Sequence, residues 1–261
     1  MKTKIFIPSK GRVNNQPTFK ALQSVGLEKN VVLVVEPQEA ESYKEQGYPV
    51  LVLPDNNQGI SFSRNFILDY CRENKIDFCI QMDDDINGFC RKKEDKVHYL
   101  YDNNAIIDFI NLFEEEKDCI GMEYRQVAWT NKDFWRKGSL EVVIALYIPK
   151  IPTNVRFDKQ SKEDKDFSIQ LILNGITPRK CQEYIINQAP LGIPGGLEEF
   201  YASGKDAEAA KYMLEKWGSD IITLKEKHLK TGAIRLDAMV KWKNVYKKYE
   251  QSKEESSLDD F

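Results

Sequence analysis

The sequence predicts an α/β fold in which a mainly parallel sheet carries helices on both faces. Short, continuously apolar runs alternate with helix-like segments through the first half of the chain. Strands that lack polar alternation are typical of sheets buried on both faces. Polar loops follow several of these runs, and in such sheets ligands bind beyond the carboxyl ends of the strands.

The predicted elements follow in chain order. Apolar runs indicate strands at 4–7, 30–35, 49–53, 78–82, 119–122 and 140–148. Helical patterns cover 18–25, 38–46, 61–73, 104–116, 163–174 and 206–217. Gly47 and Gly175 directly follow two of these helices, and glycine is the usual residue just after a helix end.

Composition and length limit the class of protein. The chain has 261 residues, of which 41% are hydrophobic and 30% charged, as in an ordinary soluble globular protein. No apolar run approaches the roughly 20 residues of a membrane span, and the first residues do not have the design of a signal peptide. We therefore expect a cytoplasmic protein with no membrane partner.

Cysteine usage and net charge limit the kinds of site and of binding partner that the protein can have. The five cysteines are scattered and include no C-x-x-C pair, which favours reduced thiols over a disulfide framework or a zinc site. The net charge is −3. Any contact with nucleic acid must therefore come from a local basic patch.

An acidic motif follows the run Phe78–Met82. Three adjacent carboxylates, Asp83, Asp84 and Asp85, repel one another unless a cation lies among them. Alternate residues of a strand face the same way, so Asp83 and Asp85 can point together. Such hard oxygen ligands suit Mg²⁺ or Mn²⁺, which would then neutralise a diphosphate. A solvated acidic turn remains the alternative.

Arg64 and Asn65 lie in the first turn of the predicted helix 61–73. A cation there opposes the helix dipole. An arginine so placed makes sense if a phosphate or a base lies opposite, where its planar fork can bind two oxygens. The alternative is a surface arginine paired with Asp69 or Glu73.

Three segments in this order carry a resemblance to a known family: Ile7–Arg12, Gly59–Asn65 and Met82–Ile86. Together they resemble the nucleotide-sugar-binding half of a GT-A glycosyltransferase. More narrowly, the chain is similar to the TET-associated glycosyltransferase group of phage and phage-like genomes. The resemblance is close over residues 1–100 and looser over 101–200.

This resemblance implies a function and a domain organisation. A hexosyl or pentosyl group would pass from a nucleotide-sugar, a UDP-sugar, to the hydroxyl of 5-hydroxymethylcytosine in double-stranded DNA. A phage-encoded enzyme would act in the cytoplasm of its host. The expected domains are a GT-A-like domain over 1–200, with a donor half at 1–100 and an acceptor half at 101–200, a helical basic extension at 201–249, and a disordered acidic tail at 250–261.

The resemblance also implies roles for single residues. Asp83 and Asp85 would hold Mn²⁺ or Mg²⁺, while Asp84 would contact the ribose or the sugar. The donor-binding set comprises Pro8, Ser9, Lys10, Arg12, Glu36, Arg64, Asn65, Asp83 and Asp84. A third metal ligand often comes from a later histidine in this fold, but His98 and His228 match no motif, which leaves Asn187, Gln188 or water.

A second acidic cluster, Glu163-Asp164-Lys165-Asp166, opens the predicted helix 163–174. It resembles the acceptor-side E-D element of inverting GT-A enzymes, in which one carboxylate is the general base on the acceptor hydroxyl. Asp164 is our first candidate and Glu163 the second. The alternative is that these carboxylates only complement the helix dipole.

Two further segments are candidates for the acceptor side. The predicted loop 129–137 contains Trp129, Trp135, Arg136 and Lys137, residue types that stack on a base or a sugar. The alternative is that this segment is a surface loop with a small, separate hydrophobic cluster. The basic segment 225–248 includes Lys241 and Lys243 and is our candidate DNA-facing surface, although a charge run can also be a solvated face.

The loop 188–196 is rich in proline and glycine and is expected to be a lid or a linker. Three rival functions remain open. They are a glycosyltransferase with a glycan or protein acceptor, a Mg²⁺-dependent nucleotidyltransferase, which also uses paired aspartates, and a DNA-binding module with a decayed site.

Overall fold

The structure of the protein, a computed structural model, describes residues 2–93, 99–128, 133–158, 160, 162–188, 204–228 and 234–258. The chain divides into two compact units. The first comprises residues 1–152 and 178–189, and the second comprises 153–177 and 190–261.

The described strands of the first unit form one ten-stranded sheet. They are β1 (Lys4–Pro8), β2 (Val31–Val35), β3 (Val50–Val52), β4 (Phe78–Met82), β5 (Ile86–Lys92), β6 (Tyr99–Tyr101), β7 (Cys119–Tyr124), β8 (Trp135–Lys137), β9 (Val143–Tyr147) and β10 (Arg179–Gln188). Their order is β3-β2-β1-β4-β9-β7-β10-β5-β6, and β8 pairs with β10 outside this path.

The helices of the first unit connect these strands. They are α1 (Pro17–Gln23), α2 (Ala40–Glu45), α3 (Ile60–Glu73), α4 (Ala105–Glu116) and α5 (Arg125–Ala128), with short 3-10 turns at Glu28–Asn30, Pro37–Glu39 and Ile148–Lys150. The apolar face of α4 packs its buried residues Phe109 and Phe113 into the main core. Phe113 meets Phe78 of β4 edge to face at 5.5 Å.

The predicted α/β class is confirmed, and the parallel part of the sheet lies where the apolar runs predict it. Strands β1 to β4 pair in parallel, and every residue of β4 is buried. The later part is mixed because β9 runs antiparallel to both β4 and β7. The parallel strands bring their carboxyl ends, and the polar loops that follow them, to one edge of the sheet.

The second unit contains α6 (Glu163–Leu173), α7 (Lys205–Trp217), β11 (Ile222–His228), β12 (Ile234–Val240) and α8 (Trp242–Leu258). Its core contains residues from each of these helices, including Ile169, Met213 and Val245. The structure thus differs from the helical extension predicted over 201–249, because β11 and β12 form an antiparallel hairpin there. Residues 250–258, predicted to be disordered, continue α8.

The alternation of buried and exposed residues explains why the sequence analysis did not predict this hairpin. Ile222 of β11 and Ala238 of β12 are buried, whereas the lysines of β11 lie at the intervening positions, so the segment looks mainly basic. Among the described residues, no helix has the length and apolarity needed to cross a membrane.

Candidate functional site

The acidic motif lies in a turn at the carboxyl end of β4. Asp83, Asp84 and Asp85 occupy the three positions between Met82, which ends β4, and Ile86, which begins β5. Strand alternation, from which we predicted that Asp83 and Asp85 point together, therefore does not apply to them. We call these three residues the acidic turn.

Each carboxylate of the acidic turn has its own partners. Asp83 accepts a hydrogen bond from Arg64 at 3.1 Å, Asp84 accepts one from Ser9 at 2.7 Å and pairs with Arg12 at 3.4 Å, and Asp85 accepts one from Gln188. The Asp84 side chain is only 15% exposed. Burial raises the pKa of Asp84, while Ser9 and Arg12 act in the opposite direction. The turn is therefore organised by the fold rather than merely solvated.

A single buried hydroxyl joins both ends of the acidic turn. Thr18 of α1 donates through Oγ1 to the carbonyl oxygen of Asp83 at 2.7 Å. The Thr18 hydroxyl oxygen in turn accepts a hydrogen bond from the N–H of Ile86 at 2.8 Å. Thr18 is fully buried. Nothing in the sequence relates α1 to this turn, so sequence reasoning missed Thr18.

Strained backbone meets the acidic turn from the other side. The N–H of Asp83 donates to the carbonyl oxygen of Val142 at 3.0 Å. Val142 has φ +59°, and the N–H of Val143 donates to the oxygen of Glu141 at 2.6 Å, which closes a three-residue turn. A β-branched residue at positive φ is an outlier, and such strain often accompanies functional sites. It also delays the start of the predicted strand 140–148, because β9 begins only at Val143.

The loop after β1 is held by a buried polar network. Ser9 donates its one hydroxyl proton to Asp84, so the Tyr43 hydroxyl, 2.9 Å away, must donate to Ser9. Gln16 donates to the same Ser9 oxygen at 2.7 Å. The Tyr43 oxygen accepts the N–H of Arg12 at 3.2 Å. Ser9, predicted to bind the donor, is thus buried and acts on the acidic turn through Asp84.

Glu36 organises a second loop at this edge of the sheet. Its buried carboxylate accepts hydrogen bonds from Lys10 at 3.0 Å, from the N–H of Asn57 at 2.9 Å and from Gln38 at 2.7 Å. A base contact, the role that the resemblance implies for Glu36, would compete with these bonds. Lys10 keeps about half of its side chain exposed and is the member of this group that is open to a ligand.

Arg64 is placed by α3 beneath the acidic turn. It is buried, and its backbone oxygen accepts a hydrogen bond from Gln81 at 3.2 Å. The alternative of a surface arginine does not describe Arg64, because its side chain is buried, and Asp69 pairs with Arg72 at 3.4 Å. Arg64 contacts Asp83 instead, so we infer that it acts through that carboxylate. Asn65 is half-buried beside it, and Pro8 is the last residue of β1.

A β-bulge brings Gln188 to the acidic turn. In the β5–β10 pair, Asn187 lies opposite Gly88 but Gln188 lies opposite Ile86, so Asn87 is skipped. Bulges re-aim side chains and are frequent beside active sites. Of the predicted options for a third metal ligand, the structure thus brings Gln188 to Asp85. His228 belongs to β11 of the second unit, and His98 lies outside the described residues.

The donor set of the acidic turn suits one kind of metal site. Among the described residues, no three or more His, Cys, Asp or Glu side chains form a group that could hold a metal ion by themselves. Mg²⁺ is commonly held by one or two carboxylates together with substrate phosphates. By chemical type, the carboxylates of Asp83 and Asp85 and the amide oxygen of Gln188 are ligands that such an ion would take if it were bound jointly with a diphosphate.

We predicted a loop over 129–137, but Trp135–Lys137 form strand β8 instead. Arg136 donates to Glu123, whose carboxylate is fully buried. Trp135 is half-buried under Arg179, whose guanidinium carbon lies 4.3 Å from the ring centre. We infer that Arg136 and Trp135 stabilise the sheet. Trp129 lies outside the described residues.

The same buried carboxylate explains why β10 was not predicted. Lys180 of β10 is 2% exposed and lies 3.3 Å from Glu123, and Gln182 donates to Glu123 at 3.1 Å. Burial alone would raise the pKa of Glu123, but Lys180 and Arg136 together lower it. A polar sequence therefore forms a central strand because its charges find partners on neighbouring strands.

The second acidic cluster opens α6 in the second unit. Glu163 and Asp164 are half-buried in its first turn, and Asp164 accepts the N–H of Lys165 at 2.8 Å. Asp166 differs, because it is fully buried and accepts hydrogen bonds from Trp217 at 2.7 Å and from two further side chains. Burial raises the pKa of Asp166, while the hydrogen bond and the positive charge of Lys216 act to lower it. The cluster therefore contains one structural carboxylate, Asp166, and two more accessible candidates for the general base, Glu163 and Asp164.

The basic segment is only partly open to a partner. Lys227 donates to Asp237, and Arg235 donates to Asp206 at 3.0 Å, so both charges are used within the unit. Four exposed lysines lie just before α8 or in its first half: Lys241, Lys243, Lys247 and Lys248. Lys137, the remaining basic candidate, is exposed at the end of β8.

Comparison with solved structures supports the fold. The mannosyltransferase PcManGT from Pyrobaculum calidifontis, in complex with GDP-Man and Mn²⁺, matches with a TM-score of 0.54 and 10% identity, over 82% of this chain and 64% of that chain. The protein thus spans slightly less than two thirds of the mannosyltransferase.

Two further structures are similar at lower scores. A candidate nucleotide-diphospho-sugar transferase from Desulfovibrio desulfuricans G20 has a TM-score of 0.45 and 10% identity, over 68% of this chain and 78% of that chain. A197 from STIV has 0.41 and 15%, over 73% and 86%.

Sequence comparison identifies the family. No curated protein matches the chain. The family described as TET-Associated Glycosyltransferase matches residues 3–190. These residues cover the whole sheet of the first unit and include the acidic turn and its partners. The predicted GT-A-like fold and family are confirmed, and the chain belongs to the TET-associated glycosyltransferase family.

Proposed function

We propose that the protein transfers a sugar from a UDP-sugar to the hydroxyl of 5-hydroxymethylcytosine in double-stranded DNA. The observation that carries the sugar-transfer part is the acidic turn, held at the carboxyl edge of β1, β2 and β4 by Ser9, Arg64 and Thr18. The DNA acceptor is supported by the family alone.

The donor side of the proposed reaction requires charge neutralisation. Asp83 and Asp85 would hold Mn²⁺ or Mg²⁺, an ion that supplies positive charge to the leaving diphosphate. Arg64, buried against Asp83 at 3.1 Å, keeps that carboxylate in one orientation. Lys10 is half exposed beside Glu36 and is the proposed cation for the donor's phosphates.

The acceptor side requires removal of a proton. In the proposed step the acceptor oxygen bonds to the anomeric carbon of the sugar, the bond to the diphosphate breaks, and the hydroxyl proton passes to a carboxylate. Asp164 is the proposed base and Glu163 the second candidate. Both are half-buried rather than enclosed, as a carboxylate must be if it is to receive a proton from a large substrate.

The products distinguish this proposal from its rivals. Hydroxymethylated duplex DNA is incubated with a panel of nucleotide-sugars and Mn²⁺, and the DNA is analysed by mass spectrometry. If the proposal is right, the DNA gains the mass of one sugar and nucleoside diphosphate is released. Release of pyrophosphate would indicate a nucleotidyltransferase, transfer only to glycans or proteins would change the acceptor, and no release would favour a DNA-binding module.

Thr18→Val should weaken binding of UDP in the presence of Mn²⁺. The valine keeps the shape of threonine but removes the hydroxyl that joins Asp83 to Ile86. These two hydrogen bonds hold the turn in one geometry and contribute about 1 kcal/mol each, so their loss corresponds to at most roughly 30-fold in affinity. Calorimetric titration of UDP with Mn²⁺ measures the change. Thr18→Ser keeps the hydroxyl and should bind almost as the wild type does; equal weakening in both variants would contradict the role given to the hydroxyl, since Thr18→Ser retains it.

Reversing four lysines to glutamate, at Lys241, Lys243, Lys247 and Lys248, should reduce the salt dependence of DNA binding. Lysine–phosphate contacts release counterions, so wild-type affinity should fall steeply as salt rises. Titrations of duplex DNA at several salt concentrations measure the slope. The control variant reverses Lys20, Lys29, Lys44 and Lys75, which are exposed in the first unit and give the same change of net charge. An identical slope in both variants would exclude the start of α8 as the DNA surface.

A further inference from the structure

An exposed aromatic ring is held in place near the end of the sheet. Tyr101 of β6 is 65% exposed. Arg125, the first residue of α5, donates to the Tyr101 hydroxyl at 3.0 Å, and its guanidinium carbon lies 5.4 Å from the ring centre. The guanidinium thus fixes the ring, while most of the ring surface stays open to a ligand.

This pair connects directly to the acidic turn. Arg125 also donates to the side-chain oxygen of Asn187 at 3.3 Å. The next residue, Gln188, donates to Asp85, and consecutive Cα atoms are about 3.8 Å apart. A continuous series of contacts therefore runs from Tyr101 through Arg125, Asn187 and Gln188 to the carboxylate of Asp85.

The chemistry of these side chains suits a nucleobase. An aromatic ring offers a stacking surface to any base, and a neighbouring arginine adds positive charge for the adjoining phosphate. An enzyme that modifies a base of duplex DNA must first take that base out of the stack, and the unpaired base then needs a surface to replace its lost neighbours. Tyr101 offers such a surface within a few residues of the acidic turn.

The burial pattern argues against a purely structural role for Tyr101. Tyr43 and Tyr99 of the same unit are buried or half-buried, as a ring that stabilises a core must be. Tyr101 leaves two thirds of its surface in water, although it lies in a strand and is tied by a charged side chain.

We propose that Tyr101, Arg125 and Asn187 form the acceptor subsite, in which a flipped-out cytosine bearing the hydroxymethyl group stacks on Tyr101. Arg125 keeps the ring in position and faces the adjoining phosphate, and Asn187 holds Arg125. This subsite deepens the proposed function and rests on it.

The test compares Tyr101→Ala with Leu100→Ala. Leu100 is the adjacent residue of β6, is 52% exposed and points to the opposite face, so it is a matched control. Fluorescence anisotropy with a labelled duplex that carries one 5-hydroxymethylcytosine, in the presence of UDP and Mn²⁺, gives the DNA affinity. Tyr101→Ala should weaken it by roughly 5- to 150-fold, the range for losing one stacked base. Leu100→Ala should not change it.

Two further measurements separate stacking from misfolding. Tyr101→Phe keeps the ring and should retain most of the affinity. Calorimetric affinity for UDP with Mn²⁺ should be unchanged in all three variants, which shows that the donor side is intact. If the wild type binds and glycosylates the duplex but Tyr101→Ala matches Leu100→Ala, the subsite is wrong and the proposed function stands. If the wild type neither binds nor modifies the duplex, the proposed acceptor fails and this subsite fails with it.

Discussion

Asp85→Ala should abolish sugar transfer and remove the metal-dependent part of UDP binding. The variant lacks one of the two carboxylates proposed to hold the divalent ion, so the diphosphate loses its counter-charge. Calorimetric titration of UDP with and without Mn²⁺, beside a transfer assay, measures both effects. Asp55→Ala, which removes an exposed carboxylate from the loop after β3, is the control and should behave as the wild type does.

Asp83→Ala should have the same effect on transfer, with an additional cost in stability. Asp83 is one partner of buried Arg64 at 3.1 Å, and removing a charged partner from a buried charge is destabilising. The partner of Asp85 is the neutral Gln188, so Asp85→Ala tests the metal with less damage to the fold. Unchanged, metal-dependent UDP affinity in both variants would refute the metal assignment.

Asp164→Asn should lower turnover by roughly 10²–10⁴-fold while UDP affinity changes little. The asparagine keeps the shape of the side chain but cannot accept the proton of the acceptor hydroxyl, and general-base catalysis contributes a factor of this size. Steady-state kinetics with saturating donor measures the loss. Glu163→Gln, in the same turn of α6, should have a smaller effect.

Asp166→Asn separates the structural carboxylate of this cluster from the proposed base. It would weaken the contacts with Lys216, Trp217 and Gln170, so we expect a lower midpoint of thermal unfolding. Asp164→Asn should leave that midpoint nearly unchanged. Near-normal turnover of Asp164→Asn would transfer the role to Glu163 if Glu163→Gln is impaired, and would exclude a carboxylate base in this turn if it is not.

Local sequence patterns were sufficient to predict the strands and helices of the first half of the fold. The apolar run Phe78–Met82 is β4 at the predicted residues, and the helix predicted over 61–73 is α3 with one added residue. Each pattern is formed by neighbours in the chain, because burial on both faces requires an unbroken apolar strand. β10 does not follow this rule, since its Lys180 is buried beside charged partners from elsewhere in the chain, Glu123 of β7 and Glu141.

The candidate site was predictable where it depends on strand ends. Ser9, Glu36 and Asp83–Asp85 follow β1, β2 and β4, and parallel pairing brings those ends to one edge. Their exact roles were not predictable. Arg64 contacts a carboxylate rather than standing free, and Arg136 neutralises Glu123, because the partner of a charge depends on which strands become neighbours.

The α/β class, the acidic motif and the edge at which it lies therefore follow from the amino-acid sequence alone, since they depend on residues close together in the chain. Which groups hold the motif in place depends on contacts between distant parts of the chain. Thr18 reaches Asp83 across 65 positions, and Gln188 reaches Asp85 across 103. Hydrogen bonds act over about 3 Å in space and carry no signature in the spacing of residues, so only the folded chain reveals them.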